Sequence, residues 1–113
     1  MFGLQAAGSA PLVRGEVVKN PETVASAIRI GNPASWQFAL DARDATDGWF
    51  GAIEDDRILA AQKLLSEPVG VFVEPAAAIA VAGLLDRAAA GVISAGARAV
   101  RTAKSDIETS TIR

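Results

Sequence analysis

The 113-residue sequence has no cysteine and no histidine, and only 5% of its residues are aromatic. Without cysteine there is neither a disulfide framework nor a thiolate metal site. Without histidine the usual general base and the commonest metal ligand are missing, which disfavours hydrolase chemistry carried by these residues alone. Half the residues are apolar, but with so few aromatics the core is predicted to be shallow and rich in alanine. A formal charge of -2, from 11 basic and 13 acidic side chains, sets up no global field, so neither nucleic acid nor an anionic membrane is expected as a partner. No apolar run approaches the roughly 20 residues that span a bilayer. The opening residues lack the basic and apolar regions of a secretory signal, so the expected location is the cytoplasm. At this length one modest domain is expected.

What is present centres on Val69 to Leu85. Val71, Phe72 and Val73 have strand propensity, and Pro75 disfavours a helical Glu74, so a strand is expected to end at Glu74 and a helix to begin just after it. No charged residue occurs from Ala76 to Leu85, which describes a helix covered on all sides by protein, and Gly91 stands where its C-cap is expected. Glu74 is thereby delivered to a helix start at the end of a strand, where open α/β sheets contact ligands; a solvated loop glutamate is the plainer reading.

Before this stretch, Leu4 to Ala7 reads as a helical turn stopped by Gly8 to Pro11. Asn20-Pro21-Glu22-Thr23 reads as a capped helix start with Asn20 as N-cap. Pro33 to Ala45 is predicted helical, with Trp36, Ala39, Leu40 and Arg43 on one stripe. Trp49 to Ile53 is a short strand candidate, followed by a helix from Glu54 and Asp55 to about Ser66 that buries Ile58, Ala61 and Leu65. Ala97 to Val100 alternates like a last strand, and the polar residues from Arg101 onward are expected to lack regular structure. The predicted fold class is therefore α/β: a partial three-layer sandwich whose short, mostly parallel strands near Trp49–Ile53, Val71–Val73 and Arg98–Val100 share one sheet.

Three features are candidates for chemistry. Gly31-Asn32-Pro33-Ala34-Ser35 can offer backbone donors to an anion or can simply cap a helix. Arg29, between Ile28 and Ile30, can fork onto a phosphate or carboxylate or can sit exposed. Glu74 is the third. The Glu54-Asp55-Asp56 cluster lacks the ligand spacing of a calcium loop and is accounted for by a helix N-terminus.

In order and spacing, several strings resemble the threonine synthase family of pyridoxal-phosphate enzymes. They are Gln5-Ala6-Ala7-Gly8, Asn20-Pro21-Glu22-Thr23, Ala27-Ile28-Arg29-Ile30-Gly31-Asn32-Pro33-Ala34-Ser35-Trp36 and Gly70-Val71-Phe72-Val73-Glu74-Pro75-Ala76. The resemblance covers roughly residues 2 to 100 and implies that 1–100 is the C-terminal portion of such an enzyme domain, with 101–113 a tail foreign to it. It implies pyridoxal phosphate as cofactor of the complete enzyme, with Ala27 against the cofactor ring and Glu74 near the pocket wall. The implied reaction converts O-phospho-L-homoserine and water to L-threonine and phosphate. The family's Schiff-base lysine and phosphate loop lie upstream of the matched strings, its pyridine contact lies beyond them, and Ala77 replaces the usual serine. The chain alone is therefore expected to be inactive, and its partner to be a complementary first half or a second copy in a homodimer. Two other readings remain open: an interaction module docking onto a paralogous enzyme chain, and a non-functional remnant.

Overall fold

The computed structural model describes residues 1–101, so the expectation for the tail beyond Arg101 lies outside the described residues. The elements are β1 (Phe2–Ala6), α1 (Pro11–Arg14), α2 (Trp36–Ala45), β2 (Trp49–Ile53), α3 (Asp55–Ser66) and α4 (Pro75–Ala89), with 3-10 turns at Ala7–Ser9 and Ser26–Ile28. This is the α/β class predicted, with a short parallel strand pair among helices. The chain divides into two compact units, Met1–Asp55 and Asp56–Arg113.

In the first unit β1 and β2 pair in parallel, from Phe2 opposite Trp49 to Ala6 opposite Ile53. The helical turn expected at Leu4 to Ala7 is thus a strand. Phe2, Leu4 and Ala6 alternate with Gly3 and Gln5, and a partner strand turns that weak period-two pattern into a ladder. The Phe2 and Trp49 rings meet edge to face, with centroids 6.1 Å apart. Gly3 leaves room for the Phe50 ring, which also lies under the Arg43 guanidinium at 5.4 Å.

α1 has no side-chain cap of its own, and Gln5 from β1 supplies one: its Oε1 accepts from the amides of Leu12 at 2.9 Å and Val13 at 3.3 Å. α2 starts at Trp36 rather than Pro33, and its predicted stripe of Trp36, Ala39, Leu40 and Arg43 is half-buried. Phe38, off that stripe, is 78% exposed. No helix starts at Asn20-Pro21. Thr23, which would have been helical there, is instead drawn into hydrogen bonds with distant residues.

In the second unit α3 buries the face read from its sequence, Ile58, Ala61 and Leu65, with Ile58 at 0% exposure. α4 begins at Pro75 behind an extended Glu74 and buries Ala77 to Ile79 and Val81 to Gly83, two sides of the helix rather than one stripe. It ends in a Schellman arrangement. Gly91 is left-handed at φ 75°, its amide donates to Ala88 O, and the Val92 amide donates to Arg87 O. Arg57 Nη2 of α3 donates to Asp86 Oδ1 of α4, tying the two helices together.

Two predicted strands are absent. Val71 to Val73 contributes only an isolated bridge at Val73, and Phe72 is 68% exposed. Arg98 to Val100 has no ladder at all. Propensity favours extended backbone, but a strand also needs a partner edge, and β1 and β2, the two described strands, pair with each other. The described sheet is β1–β2, which shares only Trp49–Ile53 with the predicted one. The shallow core is as expected: alanines supply half of its buried apolar side chains, and none of the six aromatic residues is buried.

Candidate functional site

The segment Thr23 to Ile30 winds around the 3-10 turn Ser26–Ile28 and is fastened to the first unit at several points. Thr23, buried, donates its hydroxyl to Asp55 Oδ1 at 2.5 Å, and the Val24 amide donates to the other oxygen, Oδ2, at 3.0 Å. Thr23 Oγ1 in turn accepts from the Ala25 amide at 3.2 Å. The Arg29 fork closes on the Thr23 carbonyl, with Nε at 3.2 Å and Nη2 at 2.7 Å. From the 3-10 turn that follows β1, buried Ser9 lies 3.3 Å from the carbonyls of both Ile28 and Ile30 and can donate its one hydroxyl proton to either.

Two glycines let the backbone close around this segment. The Glu22 amide donates to Gly8 O and the Val18 amide to Gly31 O, at 3.0 and 2.9 Å. A Cβ at either glycine would stand 1.9 Å from a carbonyl oxygen, Glu22 O or Val18 O respectively.

At the crown of the turn sits Ala27, exposed, its methyl the apolar surface on offer. The Nε and Nη2 edge of Arg29 is engaged by a backbone carbonyl and is not the free anion fork the sequence offered. Ser35 precedes α2 but makes no side-chain capping bond. In the second unit Glu74 is half-buried at the N-cap of α4. Its carbonyl accepts from Ala77 and Ala78, while its carboxylate makes no capping bond. Among the described residues no group of three or more acidic, histidine or cysteine side chains is placed to hold a metal, and no helix is long and apolar enough to cross a membrane.

Residues 1–103 match the family described as pyridoxal-phosphate dependent enzyme. The chain belongs to that family. Among its relatives, the threonine synthase of Mycobacterium leprae is 52% identical over 102 residues, covering 90% of this chain and 28% of the relative. That of Halalkalibacterium halodurans is 46% identical over 100 residues, 88% of this chain and 28% of the relative. That of Methanocaldococcus jannaschii is 44% identical over 108 residues, 88% and 27%. The chain thus spans little more than a quarter of the length of these family members. A crystal structure of a T.th. threonine deaminase superposes with a TM-score of 0.62 over 79% of this chain and 32% of that one, at 23% identity, which is likeness of fold.

The family cofactor is an aldehyde, and a lysine holds it well only when buried and oriented. Of the lysines described, Lys19 is exposed at a bend, and Lys63 is 71% exposed with its Nζ 3.9 Å from Glu67 Oε1. The described lysines therefore do not fit as an anchor for this family's cofactor. Sequence reading singled out Ala27, Glu74 and Arg29 and did not single out Thr23, Asp55 or Ser9. Asp55 stands in a helix-start cluster that explains its charge locally, and nothing in the residue pattern links it to a threonine 32 positions away.

Proposed function

We propose that the chain forms one wall of the active site of a cytoplasmic threonine synthase, with residues 1–100 as the wall-forming portion. The complete enzyme would convert O-phospho-L-homoserine and water to L-threonine and phosphate. The observation that carries this reading is the 52% identity to the M. leprae threonine synthase along nine-tenths of the chain. Pyridoxal phosphate, when bound by the complete enzyme, supplies the electron sink. The part given to this chain is contact: Ala27 places a methyl against the cofactor ring, and Glu74 puts a carboxylate on the pocket wall at the start of α4. Anchoring falls to residues of the remaining portion, whether on a separate complementary chain or in a homodimer. The surface is in keeping with this. All six aromatic side chains lie outside the buried core, with Phe38 and Phe72 the most exposed, as expected of faces that a larger enzyme covers.

The test is a graft in which the residues of this chain replace the matched 102-residue stretch of the M. leprae enzyme. In that graft Ala27→Leu is expected to weaken pyridoxal phosphate binding about tenfold, because a larger side chain intrudes on the ring. The same substitution in the chain alone should change its stability by less than about 0.5 kcal/mol, since Ala27 is exposed there. Unchanged cofactor affinity in the graft, by absorbance titration, would remove Ala27 from the pocket wall.

A further inference from the structure

We propose that Asp55 is a positioning residue: a two-pronged latch at the first residue of α3 that sets the turn carrying Ala27. The proposal rests on the reading above for its link to function, but the latch itself stands on geometry. One carboxylate oxygen receives the Thr23 hydroxyl at 2.5 Å, in the range of a charge-assisted O–H···O bond, and the other receives the Val24 amide at 3.0 Å. Thr23 is the hub behind the latch. Its hydroxyl oxygen accepts the Ala25 amide, and its carbonyl is gripped by both prongs of Arg29, so the residues before and after Ser26–Ile28 are fixed through one side chain. Ala25, fully buried, and Ala27, exposed, stand two residues apart on this frame. A shift at Thr23 is carried to Ala27 with little backbone between to absorb it.

The chemistry requires a carboxylate. Both oxygens of Asp55 face donors, and an asparagine has one acceptor and one donor group, so one of the two contacts would set N–H against N–H or force the Thr23 hydroxyl to turn. Nothing in a helix-start role alone demands this. At the first residue of α3 a carboxylate gains only modestly from the helix dipole, so a helix-start reading predicts a mild effect of Asp55→Asn and the latch predicts a marked one.

Two measurements decide it. In the chain itself, Asp55→Asn and Thr23→Val are each expected to speed hydrogen exchange at the buried Ala25 amide by about tenfold or more, while Thr23→Ser, which keeps the hydroxyl, stays near the original rate. Exchange within α4 serves as the control for global stability. In the graft, Asp55→Asn is expected to lower kcat roughly tenfold with KM for O-phosphohomoserine altered about twofold or less, and Thr23→Ser to retain turnover. Should Asp55→Asn fail to fold, the Thr23→Val and Thr23→Ser pair carries the test. Ala25 exchange that ignores both Asp55→Asn and Thr23→Val overturns the latch. Faster exchange with unaltered kcat in an active graft overturns the positioning role. An unsubstituted graft that folds but is inactive overturns the functional reading and the positioning role with it, and the exchange result still judges the latch.

Discussion

Mixed with pyridoxal phosphate, the chain on its own is expected to give no saturable lysine adduct and to release no phosphate from O-phosphohomoserine. A lysine captures an aldehyde tightly when burial lowers its pKa and neighbouring groups fix the imine and the phosphate. Lys19 and Lys63 have neither advantage. Both are exposed, and Lys63 projects from the last turn of α3 toward Glu67. Lys104 lies outside the described residues. The expected absorbance change is weak, slow and proportional to total lysine, and it should be much the same after Lys63→Arg. A stoichiometric adduct abolished by changing one lysine, accompanied by phosphate release, would mean that the chain is a self-sufficient enzyme.

A large effect on folding is expected from Gly31→Ala. The Val18 amide is bonded to Gly31 O at 2.9 Å, and the chain closes so tightly there that a methyl on Gly31 would meet Val18 O at 1.9 Å and its carbonyl carbon at 3.0 Å. Neither neighbour is the movable end of a side chain; backbone has to retreat, and the loop that carries Ala27 retreats with it. A cost of about 3 kcal/mol is expected, a large fraction of the roughly 5–15 kcal/mol that holds a domain together. Gly15→Ala provides the contrast. Gly15 is left-handed at φ 76° with nothing near its missing Cβ, so alanine there incurs only the left-handed penalty of about 1–2 kcal/mol. Chemical denaturation of the two variants separates them, and equal losses would show that the close approach at Gly31 relaxes at little cost.

α3 and α4 were the legible part of this sequence. α3 has a buried face at Ile58, Ala61 and Leu65 that a 3.6-residue period displays directly, and Pro75 and Gly91 mark both ends of α4. The parallel pair was half legible. Trp49 to Ile53 has aromatic and β-branched side chains, whereas Phe2 to Ala6 is a strand because β2 lies beside it, which local propensity does not record. Val71 to Val73 shows the converse: strong propensity and no described ladder, so Phe72 is left in solvent. The motif around Ala27 to Trp36 stands out in the sequence, but the bonds that shape the segment Thr23 to Ile30 join Ser9 to Ile28, and Thr23 to Asp55. Those pairings span 19 and 32 residues, and each partner taken alone has an ordinary local explanation. Asn20 is the clearest case. Asn-Pro-Glu-Thr is good helix-start chemistry, and it is overruled because Thr23 gains a charged partner in Asp55 that a helix would not offer.

The most direct measurement of the central claim is phosphate release from O-phosphohomoserine by the graft, with residues of this chain in place of the matched stretch of the M. leprae enzyme, beside the parent enzyme under the same conditions. A wall that keeps its fold and its contacts should give turnover within about tenfold of the parent, because the catalytic anchor is unchanged and the replaced surface is positioned alike. A graft that folds, retains pyridoxal phosphate and releases no phosphate would contradict the assignment of this chain to a threonine synthase active site.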